Sequence, residues 1–270
     1  MRHLGESMER LIGREPELRR LRAAFRKRES LLLWGPADAG KSLLIQKALA
    51  QLPESERRKC ICWSGPTGRR QLIAHLVTSL YLAGDPFVRG KVRADRFSDA
   101  NLARWISEQS AMRLRGILIS AAQGAEYLFF LDHLGPVSHT VAQFLKEVMY
   151  RAKTPVYLAG HGYTQAEIGY AWSLYWTDEY RIPVGPLSDA RARELLEFCI
   201  RDSGLESLDL SGFREELLRL SGHLPGAIVK MCAMAADPRY HFGDRVKLKL
   251  VHVDYLMRSD RFCSLASHAS

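Results

Sequence analysis

The stretch WGPADAGKSLL, Trp34 to Leu44, decides the fold, because Gly35 to Ser42 fit GxxxxGKS with both glycines, the lysine and the hydroxyl in place. Such a run is a phosphate-binding loop only when a buried strand delivers it and a helix leaves it. Both flanks are present. Leu31-Leu32-Leu33-Trp34 is a short apolar run suited to a strand covered on both faces, as in a parallel sheet. Lys41 to Gln51 is built of helix formers, with Leu43, Leu44, Ala48 and Leu49 at helical spacing. Between these flanks Gly35, Pro36, Ala37, Asp38, Ala39 and Gly40 are expected to curl so that successive amides face phosphate oxygens at the positive end of the helix. Lys41 is then expected to pair with the β and γ phosphates of ATP, and Ser42 to offer its hydroxyl to Mg2+. The expected nucleotide-binding set runs from Gly35 through Leu43. A glycine-rich turn before an ordinary helix is the competing interpretation, and the two flanks weigh against it.

A second half of such a site should be a strand ending in a carboxylate, and Tyr127-Leu128-Phe129-Phe130-Leu131-Asp132 fits. Asp132 is expected to orient the magnesium through its water shell; a turn aspartate after an apolar strand is the plainer alternative. The next residue is unusual. ATPases of this architecture commonly place Glu or Asp there to activate water, and this chain has His133. An imidazole can accept a proton near neutral pH, so His133 is a candidate base. A slowly hydrolysing or switch-like protein that needs a partner is the favoured alternative.

Composition narrows the class. The chain has 270 residues, 47% of them hydrophobic, enough for one large domain or two small ones. The longest apolar candidate, residues 116–131, is broken by Gln123, Gly124 and Glu126, so no membrane span is expected. The opening MRHLGESMERLIGRE lacks the apolar middle of a secretory signal, and a cytoplasmic protein is expected. Cys60, Cys62, Cys199, Cys232 and Cys263 include one CxC and no paired CxxC, which indicates neither zinc nor a disulfide framework. The net charge of +9 makes nucleic acid a possible partner, with basic clusters at Arg19–Arg28, Arg57–Lys59 and Arg89–Arg96. Dispersed arginines more often form solvated helix faces, and that is the preferred interpretation.

Strands are also expected at Lys59–Trp63, Pro155–Ala159 and Arg181–Val184, and helices at Gln71–Leu82, Ala100–Ala122 and Thr140–Ala152. Alternation of this kind predicts a parallel sheet covered on both sides, with its ligand crevice at the carboxyl ends of the strands. After Pro186 only helices are expected, at residues 190–202, 210–221, 225–236 and 252–258, with Ser188 or Asp189 as the first N-cap. The expected organisation is an α/β fold: a parallel-sheet αβα P-loop NTPase domain over residues 1–186, a small all-helical lid over 187–258, and a tail over 259–270. The segment Tyr163–Tyr180 is rich in aromatics. On a helix Trp172, Tyr175 and Trp176 would share one face, to dock a partner, stack on bases or, as preferred, pack on the sheet.

The order of motifs resembles the AAA+ superfamily, and within it the STAND and origin-recognition-like ATPases. Leu11-Ile12-Gly13-Arg14-Glu15-Pro16-Glu17-Leu18 is similar to the hhGRExEL box that precedes the phosphate loop there and lines the adenine pocket. Val184-Gly185-Pro186-Leu187-Ser188 is similar to the junction of last strand and lid, and Ser221–Ile228 to the GLPxA lid segment, whose proline packs near the base. The resemblance covers residues 11–258. It implies that Ile12, Gly13 and Arg14 border the adenine, that Pro225 couples the base to the lid, and that Arg181 either reaches a neighbouring subunit's phosphate or is an ordinary surface residue. The departures are His133; Ala159-Gly160-His161, where a polar sensor residue is usual; and Pro225, where some relatives carry a phosphate-sensing arginine, leaving His223 as an alternative. The implied activity is an ATP- and Mg2+-dependent switch whose hydrolysis is slow or partner-dependent. With about a dozen residues after the last expected helix, output is expected through self-assembly or a separate protein partner. A DNA-associated helper ATPase and a non-hydrolysing nucleotide-binding scaffold are the other classes left open.

Overall fold

A computed structural model describes residues 11–65, 68–97 and 99–267; the side chains of residues 99, 133, 134 and 259–267 lie outside the described set. Packing divides the chain into two compact units that do not follow chain order.

The first comprises residues 19–35 and 48–183 and holds the sheet. Five strands, β1 (Leu31–Gly35), β2 (Cys60–Ser64), β3 (Leu128–Leu134), β4 (Val156–His161) and β5 (Arg181–Pro183), lie in the order β2-β3-β4-β1-β5. Every neighbouring pair is parallel. The apolar run 31–34 is explained by its place: β1 is flanked by β4 and β5, so Leu31, Leu32 and Leu33 are buried on both faces. One face of the sheet rests on α1 (Glu15–Lys27), where Phe25 meets Phe130 and Tyr157 edge-on at 5.2 and 4.7 Å. Leu32, Phe129, Leu131 and Leu158 instead join the main core with Leu76 and Leu80 of α3 (Arg69–Leu82), Val88 of α4 (Pro86–Ala94), and Leu118 and Phe144 further along the chain.

Local chemistry sets the boundaries in this unit. Asp85 caps α4, accepting from Val88 N at 2.8 Å ahead of Pro86, while its other oxygen accepts from the Tyr127 hydroxyl at 2.8 Å. The continuous helix expected over 100–122 is broken into α5 (Leu102–Glu108) and α6 (Ala111–Ala122), because Gln109 is extended and Ser110 caps a new start by accepting from Arg113 N. The helix α7 (His139–Tyr150) begins behind Ser138 in the same way. The expectation that Trp172, Tyr175 and Trp176 share a helix face is not met. The helical turn there covers only Ala171–Leu174; Trp172 meets Trp34 at 5.2 Å, Tyr175 is buried with its hydroxyl donating to Val156 O at 2.9 Å, and Trp176 is 71% exposed. A buried tyrosine that needs a partner outweighs the helical spacing.

The second unit joins 36–47 and the described residues 11–18 to the described residues from Val184 onward. Its helices are α8 (Asp189–Asp202), α9 (Phe213–Ser221), α10 (Pro225–Ala235) and α11 (Leu248–Ser267), with a short hairpin of β6 (His241–Phe242) and β7 (Arg245–Val246). Leu195, Leu196, Cys199, Phe213, Leu217, Ile228, Met231 and Val251 form its core. The sequence SGHLPG makes the joint between α9 and α10: Gly222 ends α9 in the left-handed conformation at φ +56°, and Pro225 opens α10. Among the described residues no helix is long and apolar enough to cross a membrane. Cys60, Cys62, Cys199 and Cys232 are free thiols.

Candidate nucleotide-binding site

The chain leaves β1 at Gly35, with φ +152°, and turns through Asp38 (φ +61°) and Gly40 (φ +92°) before the helix α2 (Lys41–Ala50) begins. Repeated positive φ is what allows several amides to converge on one anion at a helix N-terminus. Lys41 is only 3% exposed, and its ammonium donates to Pro36 O at 2.6 Å, across the bend of the loop. Pro36 and Ala39 are buried, Asp38, Gly40, Ser42 and Leu43 half-buried, and Ala37 exposed.

Three parts of the second unit close on this loop. From the N-terminal box, Arg14, 4% exposed, donates to Ala39 O at 3.0 Å and also to Gly185 O, and pairs with Glu17 at 3.2 Å. Burial lowers the Arg14 pKa and the Glu17 charge opposes this. Gly13, at φ +72°, lies so close to α8 that a Cβ there would stand 2.9 Å from Cβ of Arg191, and Ile12 packs against the helical core. From the GLPxA-like segment, Pro225 Cγ lies 3.6 Å from where a Cβ on Gly40 would be. Gly226 N donates to Asp38 O at 2.8 Å, and its missing side chain lets the two backbones meet. From the helices beyond, Lys230 and Tyr255 bind the Asp38 carboxylate at 2.7 and 2.6 Å. The sequence motifs do not single out Gly226, Lys230 or Tyr255. The only local hint is an aspartate at a loop position whose positive φ suits glycine.

The sheet unit carries the remaining expected residues. Asp132 pairs in register with Ser64, and its carbonyl accepts from Gly65 N at 3.0 Å. Between β3 and β4 the register passes from Leu131↔Leu158 to Leu134↔Gly160, so one extra residue of β3 is accommodated around Asp132 and His133. Such bulges re-aim side chains at sheet ends. The His133 side chain lies outside the described residues. Gly35 and His161 are register partners and Asp132 faces Ser64, the last residue of β2, so all three lie towards the carboxyl edge of one sheet, with β4 between β1 and β3; β3 runs two residues past Asp132, where a strand end was expected. The Cys62 thiol is pushed up, first by burial and then by the Asp132 charge. Arg181 is engaged within its own unit: its guanidinium lies 4.1 Å over the Trp172 ring, donates to Trp172 O and pairs with Asp178, leaving the side chain 13% exposed. His223 uses its carbonyl to accept from Leu187 N, and its ring stands 3.9 Å from Asp189.

With this geometry in hand, comparison places the chain. Residues 10–160, over half of its length, match the AAA ATPase domain family, and the chain belongs to that family. It is a nucleotide-binding P-loop ATPase domain of the AAA+ class, with an origin-recognition-like fold. Among solved structures, it resembles the Walker-type ATPase of Pyrococcus abyssi, with a TM-score of 0.59 and 18% identity over 96% of this chain and 76% of that one. It also resembles the Aeropyrum pernix ORC1 protein in complex with DNA (TM-score 0.57, 14% identity, 92% of this chain and 66% of that one). A third similar structure is Cdc6p from Pyrobaculum aerophilum (0.57, 12%, 84% and 62%). The chain thus spans just under two thirds of the latter two. No curated protein matches it.

Proposed function

We propose that this chain is a STAND-like AAA+ ATPase that uses its nucleotide state to control the assembly or conformation of a separate protein partner or of further copies of itself. The observation that carries this is the packing of the phosphate loop with the C-terminal helices: Asp38 accepts from Gly226 N, Lys230 and Tyr255, and Ala39 is braced by Arg14. A loop so joined cannot fill or empty without bearing on those helices.

Gly35 to Leu43 hold the phosphates, with Lys41 supplying the cation, and Ile12, Gly13, Arg14 and Pro225 border the base. The residues fit magnesium chemically, since the Ser42 hydroxyl and Asp132 carboxylate are hard oxygen donors of the kind Mg2+ prefers. When bound, the ion neutralises charge on the phosphate oxygens. His133 accepts the proton of the attacking water where a carboxylate is usual, and hydrolysis is slow or partner-dependent. Arg181 reaches a neighbour's phosphate only by leaving Trp172 and Asp178. The 187–258 segment acts as the lid, and the setting is cytoplasmic.

Phosphate release from ATP, measured beside Lys41→Ala, tests this. Slow release that Lys41→Ala abolishes is the expected result, and wild-type protein that binds no nucleotide would overturn it.

A second reading, a DNA-associated helper ATPase, draws on the amino edge of the sheet. Arg57, Arg58 and Lys59 precede β2, Arg151 and Lys153 precede β4, and Arg26, Lys27 and Arg28 precede β1. Arg28 also reaches the start of β3, donating to Tyr127 O at 3.1 Å. Glu29, Glu54, Glu56 and Glu126 offset half of this charge. Arg28 and Lys153 adopt φ +55° and +54°, where glycine is the unstrained choice, so cations stand there at a conformational cost. Duplex DNA that speeds phosphate release at low salt, with the effect gone at high salt, would favour this reading.

A further inference from the structure

We propose that Asp38 is a positioning residue that couples occupancy of the phosphate loop to α10 and α11, by holding the Lys230 ammonium in place of a phosphate until nucleotide draws it away. This rests on the reading of Gly35–Ser42 as a nucleotide site. A carboxylate in the middle of a loop that gathers amides around an anion works against that loop's purpose, because like charge opposes the ligand. The backbone does not require it. At φ +61° glycine or asparagine would serve without the charge.

What the carboxylate does is visible in its partners. Oδ1 accepts from Lys230 Nζ at 2.7 Å and Oδ2 from Tyr255 Oη at 2.6 Å, while the Asp38 carbonyl accepts from Gly226 N at 2.8 Å. Two helices, 192 and 217 residues further along the chain at the side-chain contacts, thus converge on one loop residue. The three bonds are not equivalent. The Asp38 side chain is 15% exposed and that of Lys230 is 57% exposed, so the carboxylate is largely covered while most of the lysine side chain stands in solvent. An ion pair this exposed is weak. A triphosphate on the adjacent amides carries more charge than one carboxylate and competes for Lys230. The Tyr255 and Gly226 bonds stay with Asp38, so the loop keeps its hold on both helices while Lys230 changes partner. A ligand shifts such an arrangement only by as much as it prefers one state, and the terminal phosphate supplies that preference.

The test is a double-mutant cycle in the full chain, Asp38→Asn, Lys230→Met and the pair, read as ATP and ADP affinity with a fluorescent nucleotide alongside the melting temperature. Asparagine tolerates the loop conformation, so Asp38→Asn retains the fold. Asp38→Asn is expected to raise ATP affinity about three- to ten-fold and ADP affinity less, by removing a competing anion. Lys230→Met is expected to lower ATP affinity by a similar factor, and in its background Asp38→Asn loses most of its gain over ADP. ATP affinity that is unchanged or lower in Asp38→Asn, with a lower melting temperature, would overturn the proposal and leave Asp38 as a packing tie alone. A wild-type protein whose nucleotide affinity equals that of Lys41→Ala would instead refute the underlying nucleotide site.

Discussion

The Arg14 guanidinium donates to Ala39 O at 3.0 Å, joining the N-terminal box to the last turn of the phosphate loop, 25 residues on. The same side chain reaches Gly185 O and Glu17, so one buried cation answers two carbonyls and a carboxylate. Arg14→Ala leaves all three without that partner. The expected loss is about 2–4 kcal/mol, as for other buried charged contacts broken from one side. Arg14→Lys keeps the charge but not the planar fork, and is expected to restore only part of it. Urea denaturation checks both, and a loss below about 1 kcal/mol for Arg14→Ala would sink the bracing role.

Gly13 and Gly124 separate backbone strain from close packing. Both have positive φ, +72° and +77°. A Cβ on Gly13 would meet Arg191 Cβ at 2.9 Å and Leu187 Cδ2 at 3.1 Å, whereas nothing lies within 4 Å of one on Gly124. Gly124→Ala is expected to cost about 1 kcal/mol for its conformation alone. Gly13→Ala adds overpacking of about 1–3 kcal/mol. Equal melting temperatures for the two variants would contradict the close approach of the box to α8.

Acidification should weaken the sheet unit in two stages. Burial lowers the His75 pKa, only partly opposed by a backbone contact at Cys62, so the unfolded chain binds the proton more readily than the folded one. Stability therefore falls as pH drops through the ordinary imidazole value of about 6.5 towards the lower folded value. The Asp95 carboxylate is held below its ordinary value, first by the Trp105 indole and then by Arg113, so its contribution is present above the unfolded value and lost as pH falls through the folded one. Denaturation midpoints at pH 7.5, 5.5 and 3.5 test the order. His75→Gln should flatten the first step and Asp95→Asn the second; a first step that survives His75→Gln assigns it elsewhere.

These contacts mark the limit of what the sequence discloses. The loop between β1 and α2 was legible because each of its requirements, apolar run, glycines, lysine and helix formers, lies within about twenty consecutive residues. The apolar strand that carries Asp132 was legible for the same reason, although it runs on to Leu134 instead of ending at the aspartate. Arg14 with Gly185, or Asp38 with Tyr255, are meetings across 171 and 217 residues, and no local rule foretells them. Where local rules compete, tertiary contacts decide: Ser110 restarts a helix that apolar spacing would have continued, and the buried Tyr175 hydroxyl takes Val156 O in place of a shared aromatic face.

Arg181 offers a direct contest between two roles. Stacked at 4.1 Å over Trp172, which itself meets Trp34, it should contribute about 1 kcal/mol to the sheet edge. Arg181→Ala is expected to lower the urea midpoint and alter tryptophan emission at every protein concentration. Phosphate release that rises with protein concentration in the wild type, and loses that rise in Arg181→Ala, would instead support service to a neighbouring subunit.

On the proposed mechanism, the residue after Asp132 governs the rate of phosphate release. His133 follows it in β3 at the register shift against β4, and an imidazole serves as a base only when neutral. Phosphate release by the wild type is therefore expected to depend on that imidazole. His133→Glu, which restores the carboxylate usual at this position, should raise the rate. His133→Gln should lose most of the rate. A rate unchanged in His133→Gln would remove His133 from the chemistry.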